Sequence, residues 1–169
     1  ISDAPNGFAS FEPWNRIEMF AARPLPDSVI GNYLNWDDLL FTHEYNHTLT
    51  LDQIYGLLAI SRYLFGRVWF PNTNQPAWII EGSAVAEESA DGFGRNNSPI
   101  VEMYFRAEAE GLDLKSINRA SVPVRDWPAG NVHYLYGGRF AAWLQKKYPG
   151  KDFNAIHREN ADNVWPYLN

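Results

Sequence analysis

His43-Glu44-Tyr45-Asn46-His47, followed 34 residues after its second histidine by Glu81 in Trp78-Ile79-Ile80-Glu81-Gly82, is the pair of stretches around which this chain is organised. On a helix, residues i and i+4 share a face with Cβ atoms roughly 6 Å apart, so two imidazoles reach one Zn²⁺ at about 2.1 Å. His43 and His47 are therefore candidate metal ligands. Glu44 is rotated about 100° from His43, out of the coordination position and towards the side where a zinc-bound water would sit. That is the place of a general base. With 4 His and 10 Glu in 169 residues, an accidental match is expected in roughly one shuffled copy in 200, and coincidence is a poor explanation.

The flanks predict a helix. Asn35 is a suitable N-cap, Asp37 and Asp38 fall in the first turn where the helix dipole favours anions, and Trp36, Leu39, Leu40 and Leu49 supply apolar faces. Downstream, Pro76 opens another helix to about Ala90, and Glu81 within it is bracketed by Trp78, Ile79, Ile80, Ala84 and Val85. An ionised carboxylate in such surroundings needs a partner, and a zinc ion suffices. Glu81 is the candidate third ligand; an ion pair with an arginine such as Arg139 is the bland alternative.

Composition narrows the class. The length is that of one domain, with 46% hydrophobic and 20% charged residues and 7 Trp, 9 Tyr and 10 Phe, a globular balance. Net charge is −6 and Lys146-Lys147 is the longest basic run, which argues against nucleic acid as a partner. With no cysteine, a transition metal must be held by His, Asp or Glu. No apolar run approaches about 18 residues, so no membrane span is expected.

The expected architecture is α+β and mostly helical: a small N-terminal antiparallel β segment over residues 1–34, then a helical bundle over 35–169 carrying the zinc site. Phe8 to Phe11 and Asn15 to Ala22 read as strands, the latter a candidate edge for binding substrate backbone. Helices are expected from Leu51 to Phe65, buried over much of its circumference; from Ser98-Pro99 to Gly111, with Ile100, Met103, Tyr104 and Ala107 inward; from Val132 to Tyr148, capped by Asn131; and from Asp152 to about Asn163. Trp69, Phe70 and Pro71, in the loop from 66 to 75, are candidates for the cleft wall. The start at Ile1 and the Trp165-Pro166-Tyr167 ending suggest a single domain excised from a longer chain, with further domains of that chain as candidate partners.

Taken together, His43-Glu44-x-x-His47 and Trp78-x-x-Glu81-Gly82-x-Ala84 resemble the gluzincins, zinc peptidases related to thermolysin and to the alanyl and leucyl aminopeptidases. They look most like the peptidase-MA-type domains of larger, often exported, bacterial proteins. The resemblance covers roughly residues 35 to 150. It implies a zincin-like fold, one Zn²⁺ on His43, His47 and Glu81, Glu44 as catalytic base, a peptide or protein substrate, and an exported, periplasmic or extracellular bacterial setting. Tyr134-Leu135-Tyr136-Gly137 is similar to the Tyr-x-x-Gly element of the aminopeptidases, which implies Tyr134 as the hydrogen-bond donor to the oxyanion. Tyr136, about 200° around the helix, and His133 are the other contenders. Glu88, seven residues after Glu81, matches an aminopeptidase carboxylate and would orient a ligating histidine.

Val85 stands where thermolysin carries an aspartate, and the Gly-x-Met-x-Asn element of the aminopeptidases is absent. Two readings from other classes stay open: a non-catalytic zinc-containing binding or scaffold domain, and a metallohydrolase acting on a non-peptide amide. The sequon Asn46-His47-Thr48 lies inside the metal helix, which argues against a glycosylating route.

Overall fold

The computed structural model describes residues 4–163 apart from 124, 126, 129, 151 and 152. The Trp165-Pro166-Tyr167 ending and the expected start of the last helix at Asp152 lie outside these residues. The described part is mostly helical with one small antiparallel sheet. Strands β1 (Gly7–Ser10) and β2 (Arg16–Met19) precede helices α1 (Trp36–Leu51), α2 (Gly56–Phe65), α3 (Ala77–Glu88), α4 (Pro99–Glu110), α5 (Val132–Lys147) and α6 (Phe153–Asp162). No helix among the described residues is long and apolar enough to cross a membrane.

α1 begins as its sequence dictates. Asn35 is extended at the N-cap and its side chain accepts from the Asp37 amide at 3.2 Å, with Asp37 and Asp38 in the first turn. The buried positions Trp36, Leu39, Leu40, His43, Glu44, His47, Thr50 and Leu51 follow one another at helical spacing and form a single stripe. Apolar side chains fill its ends and the His-Glu-His group its middle; Leu49, off this stripe, is exposed.

α3 lies between α1 and α5, and its contact with α5 is made by glycine. A Cβ on Gly82 would stand 2.5 Å from the carbonyl carbon of Gly137, and one on Gly137 would stand 2.7 Å from the carbonyl oxygen of Trp78. Main chain thus touches main chain, a distance no larger residue permits. Glu81-Gly82 and Tyr134-x-x-Gly137 are two halves of one helix crossing. Around it Ala86, Ala141 and Phe153 form a core cluster with Trp78, Ile79 and Leu144 against it, while Val101, Tyr104 and Leu135 form another between α4 and α5.

Four expectations need correction. The helix expected from Leu51 is two elements: α1 runs through Leu51, Asp52 caps it and pairs with Arg62 and Arg67, and α2 starts at Gly56. α2 buries none of its residues; Leu57, Ile60, Tyr63, Leu64 and Phe65 are all exposed. Periodicity reports an apolar face without reporting what covers it. α4 is turned by about one position, burying Val101, Tyr104 and Glu108 and leaving Met103 64% exposed. The cause is Glu108, a buried carboxylate held by Tyr104, Tyr136 and Lys115. Asn131 sits at the N-cap of α5 without a side-chain capping bond: its backbone, at φ −94 and ψ 2, is not extended, and its side-chain amide donates to the Pro128 carbonyl at 2.9 Å.

Candidate metal centre

His43 and His47 project from the middle of α1 towards Glu81 on α3. His43 Nε2 and His47 Nε2 are 3.2 Å apart, and Glu81 Oε2 lies 3.2 Å from the first and 3.1 Å from the second. Ligands at 2.0–2.1 Å from a tetrahedral Zn²⁺ are separated by roughly 3.3–3.4 Å, so this triangle is within a few tenths of an ångström of three corners of such a site. Two imidazole nitrogens facing each other have no reason to approach so closely unless a proton or a cation lies between them. Two neutral nitrogens and one anionic oxygen, with no sulfur, are a donor set suited to zinc.

Behind His43, Glu88 supplies the orienting partner. Its Oε2 is 2.8 Å from His43 Nδ1, so Nδ1–H donates and Nε2 is left free to face the metal position. Glu88 has no exposed side-chain surface, and Arg95 compensates its charge: Nη1 donates to Oε2 at 2.8 Å and the Arg95 amide donates to Oε1 at 3.2 Å. His47 Nδ1 is buried without a partner among the described residues.

Carboxylates converge on His43 from both sides. Burial opposes charge on His43, but carboxylates on both its nitrogens carry its pKa up to about 9. Burial likewise works against ionised Glu81, which its bonds to His43 and His47 nevertheless hold well below the ordinary carboxylate range. Glu88 is lowered in the same way, first by Arg95 and then by His43. Glu44 moves in the other direction: burial raises its pKa, with the Ala9 amide donating to it.

His43, Glu44, His47 and Glu81 line one cavity of about 270 Å³, whose lining also includes Gly7, Phe8 and Ala9. The strand beside the site is therefore β1, and not the Asn15–Ala22 strand expected to bind substrate. Trp69, Phe70 and Pro71 do not line it. The ladder parity shows what β1 offers. Asn6 accepts from the Phe20 amide at 2.9 Å, and with Phe8 opposite Glu18 and Ser10 opposite Arg16, the bonded pairs are the even-numbered residues of β1. Gly7 and Ala9 turn their amides and carbonyls away from β2, and the Ala9 amide reaches Glu44.

Tyr134 also lines the cavity, its ring centroid 6.0 Å from that of His43. Burial raises its pKa to about 12, so the phenol keeps its proton. Tyr136 is elsewhere: its hydroxyl donates to Glu108 and accepts from the Lys115 amide at 3.0 Å. His133 stacks on Tyr134 at 4.3 Å but does not line the cavity. Arg139, the alternative partner for Glu81, pairs with Glu102 instead.

No family model matches the chain, and no solved structure matches it. A protein of Treponema pallidum (strain Nichols), described as an uncharacterized protein, is similar to it, at 30% identity over 152 residues. The match covers 89% of this chain and 12% of that protein.

Two contributors to the site were not anticipated. Arg95 enters from a short turn, Arg95–Asn97, with its guanidinium 4.7 Å from the centre of the Tyr134 ring. Ala9 enters through its backbone, which no side-chain pattern records. On the far side of α3, buried His157 bonds Gln75 Oε1 at 2.7 Å and Ser83 Oγ at 3.3 Å, tying α6 to the helix that carries Glu81.

Proposed function

We propose that this chain is a zinc-dependent peptidase domain of gluzincin type with a zincin-like fold, in which His43, His47 and Glu81 hold one Zn²⁺ and Glu44 is the general base. The observation that carries this proposal is the donor triangle with 3.1–3.2 Å edges, sharing a cavity with a carboxylate free of the triangle. A zinc ion in that position supplies a Lewis acid that makes water acidic enough to lose a proton near neutral pH.

The remaining steps belong to the chain's own groups. The outward amide of Gly7 and the outward carbonyls of Gly7 and Ala9 would receive an extended peptide laid beside β1, with its scissile carbonyl near the triangle, while the Ala9 amide is held by Glu44. Glu44, its proton affinity increased by burial, takes a proton from the attacking water as oxygen bonds to the carbonyl carbon. Tyr134 donates a hydrogen bond to the oxygen as it gains charge. Glu44 then returns the proton to the leaving nitrogen as the C–N bond breaks. Glu88 keeps His43 in the tautomer that leaves Nε2 free.

The deciding experiment measures metal content and digestion of a peptide library for wild type and Glu44→Gln. Expected are about one zinc per chain in both and hydrolysis by wild type, reduced about 10³-fold in the variant. Zinc-free protein, or a variant as active as wild type, overturns the proposal; bound zinc with no hydrolysis of any peptide transfers support to a non-catalytic zinc-binding domain.

A further inference from the structure

Resting on the assignment of Tyr134 as oxyanion donor, the geometry points to a role for Arg95 that no ligand motif includes. We propose that Arg95 is a positioning residue that sets the orientation of the Tyr134 ring beside the His43–His47–Glu81 triangle, using a guanidinium that Glu88 locks in place. Three observations converge on it. The guanidinium carbon lies 4.7 Å from the Tyr134 ring centre, within cation–π range. The same group donates through Nη1 to Glu88 Oε2 at 2.8 Å, the oxygen that also receives His43 Nδ1–H. Its side chain is only 13% exposed, and both Arg95 and Tyr134 line the cavity.

The turn that carries Arg95 is itself held to the end of α3, to α5 and to the loop at Asn32. Gly94 adopts φ +74, where a side chain is strained, and a Cβ there would stand 2.6 Å from Ser89 Oγ. The Gly94 amide donates to Asn32 and its carbonyl accepts from the Asn32 side chain, at 2.8 and 3.1 Å. Asn97 donates to the Ser89 carbonyl at the end of α3, and Asn96 donates to the Gly138 carbonyl on α5, one turn beyond Tyr134. A side chain anchored at this depth transmits position rather than following it. Lysine would keep the charge but lacks the planar face that covers the ring while bonding a carboxylate at its edge.

The test is Arg95→Lys, with Tyr134→Phe and the double variant, read in two ways. In protein labelled with 3-fluorotyrosine, the Tyr134 ¹⁹F resonance, assigned by its loss in Tyr134→Phe, is expected to move in Arg95→Lys while zinc content and melting temperature stay as in wild type. In peptide hydrolysis, Arg95→Lys is expected to lower kcat about tenfold with KM unchanged, and to add nothing in the Tyr134→Phe background. An unmoved resonance, loss of zinc in Arg95→Lys, or additive effects on kcat overturns the proposal. The resonance needs no turnover, so a wild type that hydrolyses nothing refutes the peptidase assignment and still leaves the coupling of Arg95 to Tyr134 decided.

Discussion

Glu88 Oε2 sits 2.8 Å from His43 Nδ1, on the side of the ring away from Nε2 and Glu81, and its carboxylate has no solvent exposure. Such a partner fixes the ring orientation and tautomer and increases the basicity of the ligating nitrogen. Glu88→Gln is expected to weaken zinc binding by about 10- to 100-fold, measured by competition with a chromogenic chelator. Affinity within a factor of two of wild type would remove Glu88 from the metal site.

The two tyrosines of α5 are expected to separate cleanly. Tyr134→Phe should lower kcat by about 10²-fold with stability nearly unchanged if, as proposed, its hydroxyl donates to the oxyanion. Tyr136→Phe should leave kcat unchanged and cost about 1–3 kcal/mol of stability, because it deprives buried Glu108 of a donor. Denaturant titration beside steady-state kinetics checks both, and the reverse assignment would move the oxyanion role to Tyr136.

His157 makes stability depend on acid. Burial lowers its pKa from 6.5 to about 4, so below pH 6.5 the unfolded chain takes up a proton that the folded chain refuses. Stability contributed by neutral His157 is complete above pH 6.5 and is lost as pH falls towards 4, by about 3 kcal/mol over the window. Unfolding free energies of wild type and His157→Gln are expected to diverge by that amount in total across this range, and parallel pH profiles would contradict it.

The Gly82–Gly137 contact predicts a sharp intolerance. Gly82→Ala places a methyl 2.5 Å from backbone that has no rotamer to change, and is expected to cost about 3 kcal/mol or more and to displace Glu81. A melting curve and zinc titration check it. Wild-type behaviour in both would mean that the helices separate at little cost.

Much of the site was legible because its geometry is local. Two histidines four apart on a capped helix must share a face, and a glutamate embedded among Trp78, Ile79, Ile80 and Val85 needed an inward partner. Arg95 was not legible, since its reach to Glu88 and Tyr134 depends on a positive φ at Gly94 and on bonds to Asn32 and Gly138, which lie 62 and 42 residues from their partners. Nor was the choice of β1 over β2 as the cleft wall, because the hairpin's docking on α1 decides it. In α2 the apolar pattern was real, and its exposure is a property of the surroundings rather than of the helix.

Where main chain rests on main chain at Gly82 and Gly137, one bank of the cleft is as stiff as the two helices themselves. α3 and α5 cannot breathe apart to accommodate bulkier cargo without abandoning Glu81 and Tyr134 together. For the peptidase proposed above, room for a bulkier substrate is therefore expected from the hairpin strand Gly7–Ser10 rather than from this helix pair.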